Sequence, residues 1–238
     1  CEHLSGEFTD ITFEMLGLAT SLDSGEVSGV TFGAMGGKSG ELGAASNVIL
    51  AGSGDDFNPE TYAAAVKVAV EAHSPGLLLV GSTSMGMDLA SPVAAALDLP
   101  LVAYCTGIEA SGGGFACTSS LYGGKMGVSS QVNSPAVVMV LPGAFDTDAG
   151  RVAGSPTVSE LTVQESGGKV RFSKLIEPDA GDVDITQSGV LVAVGRGIGS
   201  KDDIELAEEL AELLEADLAC SRPIVDAGWM EKSRQIGK

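Results

Sequence analysis

Short, fully apolar runs alternate with helix-forming segments along the first half of this 238-residue chain. The clearest run is Leu77–Val80, where every residue is apolar and a glycine stands on either side. Runs without a polar face are typical of parallel strands that helices cover on both sides. Strands that alternate with helices predict right-handed βαβ units. The sequence therefore predicts an α/β fold with an open, mostly parallel sheet.

Seven elements are predicted before residue 105 from hydrophobic periodicity. They are the strands Val27–Phe32, Asn47–Ala51, Leu77–Val80 and Leu101–Tyr104, and the helices Phe13–Leu22, Pro59–His73 and Asp88–Leu97. No strand is predicted before the first helix, although a sheet of this type usually begins with one. We therefore expect a strand that precedes Cys1 to be missing from this sequence.

The pattern changes after Gly112, where glycine, serine and asparagine separate shorter strands. The strands predicted here are Phe115–Leu121, Lys125–Val132 and Ala136–Leu141, followed by a hairpin of Thr157–Glu165 and Lys169–Ile176. The acidic segment Glu177–Ser188 is interpreted as a linker. It predicts an α/β domain over residues 1–180 and a second domain that occupies residues 189–238.

Composition excludes several classes of protein. The net charge of −19 disfavours binding to DNA or RNA phosphates. It suits either general solubility or steering towards basic patches on partner proteins. No apolar stretch is long enough for a membrane span. Four separated cysteines and two remote histidines predict neither a zinc site nor a hydrolytic triad, and reduced thiols suit a cytoplasmic protein.

A glycine-containing turn, Gly195–Ser200, follows the predicted strand Val190–Val194 and precedes a helix that Ser200 and Asp203 could cap. Such a turn lets backbone N–H groups approach a phosphate, and the helix dipole favours an anion. Arg196 could pair with that anion. The spacing is not the dinucleotide fingerprint, so a tight turn without a ligand is an equal alternative.

A second polar segment, Ser221-Arg222-Pro223, follows the predicted strand Leu218–Cys220. Residues just beyond the carboxyl end of a strand line the ligand crevice of an α/β sheet. Arg222 is therefore a candidate cofactor contact, or a surface arginine paired with a nearby carboxylate. The turns Gly81–Gly86 and Tyr122–Lys125 are weaker candidates, since the first lacks a basic residue and the second suits a hairpin corner.

Four motifs occur in a consistent order: Gly195-Arg196-Gly197, Ser221-Arg222-Pro223, Asp226-Ala227-Gly228-Trp229 and Gln235-Ile236-Gly237. In order and spacing they resemble the electron transfer flavoprotein alpha family. Leu77–Thr83, Gly86–Ala90 and Tyr122–Lys125 resemble motifs of that family's first domain. The resemblance covers essentially the whole chain.

The resemblance implies an adenine-nucleotide-hydrolase-like α/β domain followed by a partial doubly wound FAD-binding domain. It also implies an electron carrier without substrate chemistry of its own, which passes electrons from dehydrogenases to a quinone-linked oxidoreductase as a heterodimer with a beta subunit. Its location would be the cytoplasm, or the mitochondrial matrix in a eukaryote. The FAD contacts carried over are Arg196, Ser221, Arg222, Ile236, Gly237 and Lys238.

This sequence departs from the family pattern at three places. Met87 stands where an arginine usually follows Gly86, and Lys238 stands where glutamine is frequent. The family's later flavin-domain motifs are absent from this sequence. A nucleotide-binding or scaffold subunit without a redox role stays open as an alternative. An NAD-dependent dehydrogenase is disfavoured because Cys220-Ser221-Arg222 occupies the place of the acidic ribose-binding residue.

Overall fold

The computed structural model describes residues 1–23, 25–52, 54, 56–163, 168–174, 185 and 188–237. The chain forms two compact units, Cys1–Phe172 and Ser173–Lys238. The predicted linker Glu177–Ser188 lies outside the described residues, apart from Ile185 and Ser188. The boundary between the proposed domains therefore stays a prediction.

The first unit contains strands β1 to β10 and helices α1 to α3. The strands are β1 His3–Leu4, β2 Glu7–Phe8, β3 Ser28–Thr31, β4 Asn47–Ala51, β5 Leu77–Gly81, β6 Leu101–Ser111, β7 Gly114–Leu121, β8 Met126–Asn133, β9 Ala136–Val140 and β10 Thr157–Leu161. The helices are α1 Asp10–Ser21, α2 Pro59–His73 and α3 Ser84–Leu97, with a 3₁₀ segment over Gly33–Leu42.

Two larger sheets organise this unit. One has the strand order β10-β4-β3 and is entirely parallel. The other has the order β5-β9-β6-β7-β8, in which β5, β9 and β6 are parallel and β6, β7 and β8 are antiparallel. The expected open, mostly parallel α/β architecture is thus confirmed, with an antiparallel extension at one end.

Helices cover both faces of these sheets, which explains the continuous apolar strands. Helix α1 packs Ile11, Met15 and Leu18 against β6, β7 and β9 on one face. Helices α2 and α3 pack together on the other face, where Tyr62 stacks on Phe32 with ring centroids 3.7 Å apart. Strand β9 is buried at every position. The core therefore lies in two layers, one on each side of the strands.

Most predicted elements are confirmed, and Asn47–Ala51 and Pro59–His73 have the predicted bounds. Strand β6 runs beyond its predicted end at Tyr104. The β6–β9 ladder is irregular between Val102 and Cys105, and the β6–β7 ladder is irregular between Cys105 and Gly107. Strand β6 thus passes from its parallel partner β9 to its antiparallel partner β7 at Cys105, which pairs with both. Helix α3 starts four residues before the predicted Asp88 because Thr83 caps it and accepts a hydrogen bond from the Gly86 amide.

Two expectations about strand pairing are wrong. The antiparallel strands β1 and β2 precede the first helix. They were missed because each has only two residues, joined by a Ser5-Gly6 turn with positive φ at both positions. In the described part of the predicted hairpin at residues 157–176, β10 pairs in parallel with β4, and residues 168–174 contain no strand. Residues 164–167, 175 and 176 lie outside the described residues. Val170 instead accepts a hydrogen bond from the Asn58 amide and donates one to the Glu60 carboxylate.

The second unit repeats the α/β pattern on a smaller scale. Its elements are β11 Leu191–Val194, α4 Ile204–Leu213, β12 Asp217–Cys220 and α5 Arg222–Asp226, with 3₁₀ turns at Arg196–Ile198 and Lys232–Arg234. Strands β11 and β12 are parallel. The predicted apolar stripe of α4 is narrower than expected. Ile204, Ala207 and Ala211 are buried, whereas Leu210 and Leu214 are 48% and 51% exposed. Among the described residues, the sheet that α4 packs against consists of β11 and β12.

Candidate functional site

Three segments of the second unit meet at one edge of its sheet. Val194 lies opposite Cys220 at the carboxyl ends of β11 and β12, and Cys220 lies opposite Gln235 in a further parallel bridge. The Ser221 amide donates to the Val194 carbonyl at 2.9 Å, and the Ile236 amide donates to the Cys220 carbonyl at 2.8 Å. Val194, Cys220 and Gln235 therefore lie side by side, and the segments that follow them all emerge at the same edge of the sheet.

This carboxyl edge gathers most of the predicted cofactor contacts. It includes Arg196 after β11, Ser221 and Arg222 after β12, and Ile236 and Gly237 after Gln235. Lys238 lies outside the described residues. Parallel strands place the residues that follow them on a common edge, where α/β folds bind ligands. We call this group of segments, residues 195–199, 221–222 and 236–237, the carboxyl-edge cluster.

The turn at 195–199 is compact and exposes part of its backbone. The Ile198 amide donates to the Gly195 carbonyl at 3.0 Å, and the Gly199 amide donates to the Arg196 carbonyl at 3.3 Å. Gly199 has a φ of +97°, a conformation that favours glycine. Among the described residues, the amides of Arg196 and Gly197 donate no hydrogen bond to a backbone carbonyl outside this 3₁₀ turn. These two N–H groups, beside the exposed Arg196 side chain, are free to bind an anion.

The sequence predicted that the dipole of the following helix would favour an anion at this turn, and this prediction is wrong. Helix α4 begins at Ile204, four residues after Ser200. The reciprocal contact predicted between Ser200 and Asp203 does form, with the Ser200 amide 3.1 Å from the carboxylate and the Asp203 amide 3.3 Å from the hydroxyl. An anion drawn to the start of α4 would meet that carboxylate. Any anion binding at the turn must depend on Arg196 and the free amides.

Arg222 stands at the first position of α5, and its side chain is 75% exposed. Its Nε lies 3.5 Å from a carboxylate oxygen of Asp226, one helical turn away. An exposed pair of this kind stabilises a protein by less than about 1 kcal/mol. The carboxylate pairing considered for Arg222 is therefore present, and it is weak enough for a ligand to compete with it.

Arg234 is a residue of this region that the sequence analysis missed. Its guanidinium donates to the Leu218 carbonyl at 3.1 Å and is half-buried. Burial raises the pKa of the neighbouring Cys220 thiol, and the positive charge of Arg234 partly opposes that shift. Arg234 therefore ties the 3₁₀ turn before Gln235 to strand β12. The sequence feature that could have identified Arg234 is its position immediately before the Gln235-Ile236-Gly237 motif.

The two weaker candidates in the first unit have structural explanations. A Cβ placed on Gly86 would lie 1.9 Å from the Gly81 carbonyl oxygen, so the Gly81–Gly86 turn is closed against the strand end. Tyr122-Gly123-Gly124-Lys125 connects β7 to β8, whose last pair is Leu121 with Met126. The hairpin-corner interpretation of the second turn is confirmed.

Metal clusters and membrane-spanning helices are both absent from the part of the chain that the structure describes. No group of three or more histidine, cysteine or carboxylate side chains is arranged to hold a metal ion. No helix has the length and apolarity required to cross a membrane.

Comparison with known proteins identifies the family. Residues 1–166 match the electron transfer flavoprotein domain family, and residues 184–238 match the electron transfer flavoprotein FAD-binding domain family. The first match covers more than half of the chain. This chain belongs to the electron transfer flavoprotein family and is of the alpha type.

Individual relatives agree with this assignment. The chain is 29% identical to "Electron transfer flavoprotein subunit alpha" of Methylophilus methylotrophus, over all of this chain and 76% of the relative. It is 32% identical to "Protein FixB" of Clostridium saccharobutylicum, over 82% of this chain and 60% of the relative. It is 34% identical to "Protein FixB" of Bradyrhizobium diazoefficiens, over 77% of this chain and 51% of the relative. The chain thus spans about half to three quarters of these relatives.

Proposed function

We propose that this chain is the alpha-type part of a flavoprotein that carries electrons and has no substrate chemistry of its own. One observation carries the proposal most directly. The segment that matches an electron transfer flavoprotein FAD-binding domain contains the whole carboxyl-edge cluster. The family match supports FAD as the cofactor, and the convergence of the three segments supports the carboxyl-edge cluster as its binding site.

The groups at the cluster suit an anionic dinucleotide. The free amides of Arg196 and Gly197 and the guanidinium groups of Arg196 and Arg222 are donors for phosphate oxygens or flavin carbonyls. Ser221 adds a hydroxyl, and the exposed Ile236 adds an apolar surface. We propose that Arg196, Ser221, Arg222, Ile236, Gly237 and Lys238 hold FAD.

FAD, when bound, supplies the ability to accept and release one or two electrons. The role of the chain is electrostatic. A guanidinium beside the site where negative charge develops stabilises that charge, as oxyanion donors do in enzymes. Arg222 is suited to this role because its only close partner among the described residues is the exposed Asp226 carboxylate.

We also propose that the chain forms a heterodimer with a beta-type subunit and exchanges electrons with dehydrogenases and a quinone-linked oxidoreductase. Residues 1–180 would supply the docking domain and residues 189–238 part of the flavin domain. The β7–β8 hairpin supports a docking role, because Tyr122 and Met126 are 74% and 51% exposed there. The four free cysteines suit the reducing cytoplasm.

Co-expression of the complete gene product with its beta-type partner tests the function. We expect a heterodimer that copurifies with FAD, with visible flavin absorbance that bleaches on reduction. A heterodimer that binds no flavin even after reconstitution would favour the scaffold alternative. A flavin-replete monomer by light scattering would contradict the proposed partner.

Limited proteolysis tests the division into domains. We expect the first cut near residue 180 because of the acidic, proline-containing composition of Glu177–Ser188. A first cut within residues 60–100, which form α2, β5 and α3, would show that the division is wrong.

A further inference from the structure

The outer edge of strand β12 is the edge that faces away from β11. The Asp217 and Ser221 amides donate to carbonyl groups on the β11 side, at 3.1 and 2.9 Å. Because the hydrogen-bonding groups of successive strand residues point to opposite edges, the Leu218 and Cys220 carbonyls face the outer edge. Among the described residues, no named strand other than β11 pairs with β12. These two carbonyls therefore need donors that no regular strand supplies.

Arg234 and Ile236 supply both donors. The Ile236 amide donates to the Cys220 carbonyl at 2.8 Å, as the amide of a neighbouring parallel strand would. Nη1 of Arg234 donates to the Leu218 carbonyl at 3.1 Å. The residues that lead into this contact form a 3₁₀ turn, so their backbone does not extend along β12. The guanidinium thus takes the place of a strand amide that the turned backbone cannot supply.

The charge of Arg234 lies close to the carboxyl end of β12. The side chain is half-buried, and it is near enough to the buried Cys220 thiol to oppose the rise in pKa that burial causes there. Hydrogen bonds from a charged donor are shorter and stronger than those from a neutral amide. The contact with Leu218 is therefore a firm attachment immediately before Ser221 and Arg222, which belong to the carboxyl-edge cluster.

Ile236 and Gly237 form the segment that this contact holds. Both residues are exposed, and Gly237 has a φ of +75°. Nε2 of Gln235 donates to the Gly237 carbonyl at 3.1 Å, which shapes the segment locally but does not attach it to the sheet. The Ile236 amide and the Arg234 side chain do attach it to β12. An exposed segment with few attachments opens locally at low cost, so the loss of one attachment should release it.

We propose that Arg234 is a positioning residue of the flavin site. Its guanidinium holds residues 235–237 against β12, so that Ile236 and Gly237 keep their places beside Ser221 and Arg222. Arg234 acts through this segment and is not one of the groups proposed to contact FAD. The inference rests on the proposed function, because the position of the segment matters to FAD only if the carboxyl-edge cluster binds it.

The test compares three variants of the complete flavoprotein, assembled with its beta-type subunit. Arg234→Met removes the donors and the charge but keeps an apolar stem, whereas Arg234→Lys keeps a charge and a donor. Lys232→Met is the matched control, because the exposed Lys232 belongs to the same 3₁₀ turn and its loss changes the net charge equally.

The first measurement is the affinity for FAD. We expect Arg234→Met to lower it about tenfold or more, the effect of losing one charged hydrogen bond. Arg234→Lys should recover most of that loss, since the contact with Leu218 needs a single donor. Lys232→Met should stay within about twofold of the parent, as surface substitutions usually do.

Hydrogen exchange of the same complexes, stripped of FAD, gives a measurement that does not depend on the cofactor. The Ile236 amide should exchange at least about tenfold faster in Arg234→Met than in the parent. The Ser221 amide, bonded to the Val194 carbonyl on the β11 side of β12, is the internal reference and should not change. This difference separates local release of the segment from a general loss of stability.

Equal FAD affinities in Arg234→Met and Lys232→Met would overturn the proposal. So would weaker FAD binding with unchanged exchange at Ile236, because Arg234 would then act on the flavin directly, or an Arg234→Lys variant that recovers neither quantity. If Arg234→Met does not assemble, Arg234→Gln is measured with the same expectations. A parent complex that binds no FAD would refute the proposed function instead, and exchange at Ile236 would still decide whether Arg234 anchors the segment.

Discussion

The Cβ position of Gly195 lies 3.6 Å from Oγ of Ser221, so the turns that follow β11 and β12 are in direct contact. An alanine would fit there in ordinary van der Waals contact. A branched side chain would push the two turns apart. The spacing of the carboxyl-edge cluster therefore depends on a residue no larger than alanine at position 195.

Gly195→Val is the first prediction. The φ of −122° at Gly195 is accessible to valine, so the free energy of unfolding should change by less than about 1 kcal/mol. We expect the affinity of the complete flavoprotein for FAD to fall about tenfold or more, which corresponds to about 1.4 kcal/mol. Gly189→Ala, in open space before β11, is the control. Equal FAD affinity in both variants would show that the turn does not contact the cofactor.

The second prediction concerns the closed turn between β5 and α3. A Cβ on Gly86 would lie 1.9 Å from the Gly81 carbonyl oxygen, which is a backbone atom and cannot move aside as the end of a flexible side chain could. We expect Gly86→Ala to lower the free energy of unfolding by roughly 3 kcal/mol. Gly127→Ala in β8 is the control because no atom lies within 4 Å of its Cβ position. Urea unfolding measures both, and a Gly86→Ala variant as stable as the control would refute the packing described.

Glu14 provides the third prediction. Its buried carboxylate accepts hydrogen bonds from the Gly143 amide at 2.9 Å and the Phe145 amide at 3.2 Å, which attach the 143–145 loop to α1. Glu14→Gln removes the charge from these bonds, and we expect a loss of about 1.5–3 kcal/mol in the free energy of unfolding. Glu71→Gln, which affects only an exposed pair with Lys67, should cost less than about 0.5 kcal/mol. Similar losses in the two variants would contradict this role of Glu14.

The fourth prediction is a pH dependence. Burial, and next the neighbouring Cys105, raise the pKa of Cys117 from 9.0 to about 11. Because the folded state resists ionisation of this thiol, its contribution to stability is complete below about pH 9 and is lost as the pH rises towards 11. Stability measured by urea unfolding should therefore fall more steeply over this range in the parent chain than in Cys117→Ala. Parallel pH profiles would show that the thiol does not carry the effect.

Hydrophobic periodicity predicted the elements with a strong local signal. Pro59–His73 has a proline in its first turn and an apolar face, and Asn58 caps it by accepting from the Glu60 and Thr61 amides. The β1–β2 pair and the pairing of β10 with β4 depend on contacts between distant residues. Such contacts leave little trace in a short sequence window.

The candidate site shows the same division. The convergence of Arg196, Ser221 and Ile236 follows from parallel strand order, which the sequence predicts. The Arg222–Asp226 pair was predictable as a spacing of four residues on a helix. The sequence did not predict that the Asp203 carboxylate would oppose an anion at the start of α4. That effect depends on the helix beginning at Ile204, directly after Asp203.

Arg222 tests the central claim most directly, by redox titration of the reconstituted complete flavoprotein. Arg222→Ala should lower the two-electron potential of bound FAD by roughly 30–60 mV, if a charged hydrogen bond contributes about 1.5–3 kcal/mol. Asp226→Asn removes only the competing carboxylate, so its potential should stay level or rise. An unchanged potential in Arg222→Ala with FAD bound would show that Arg222 is only a surface residue and would contradict the account.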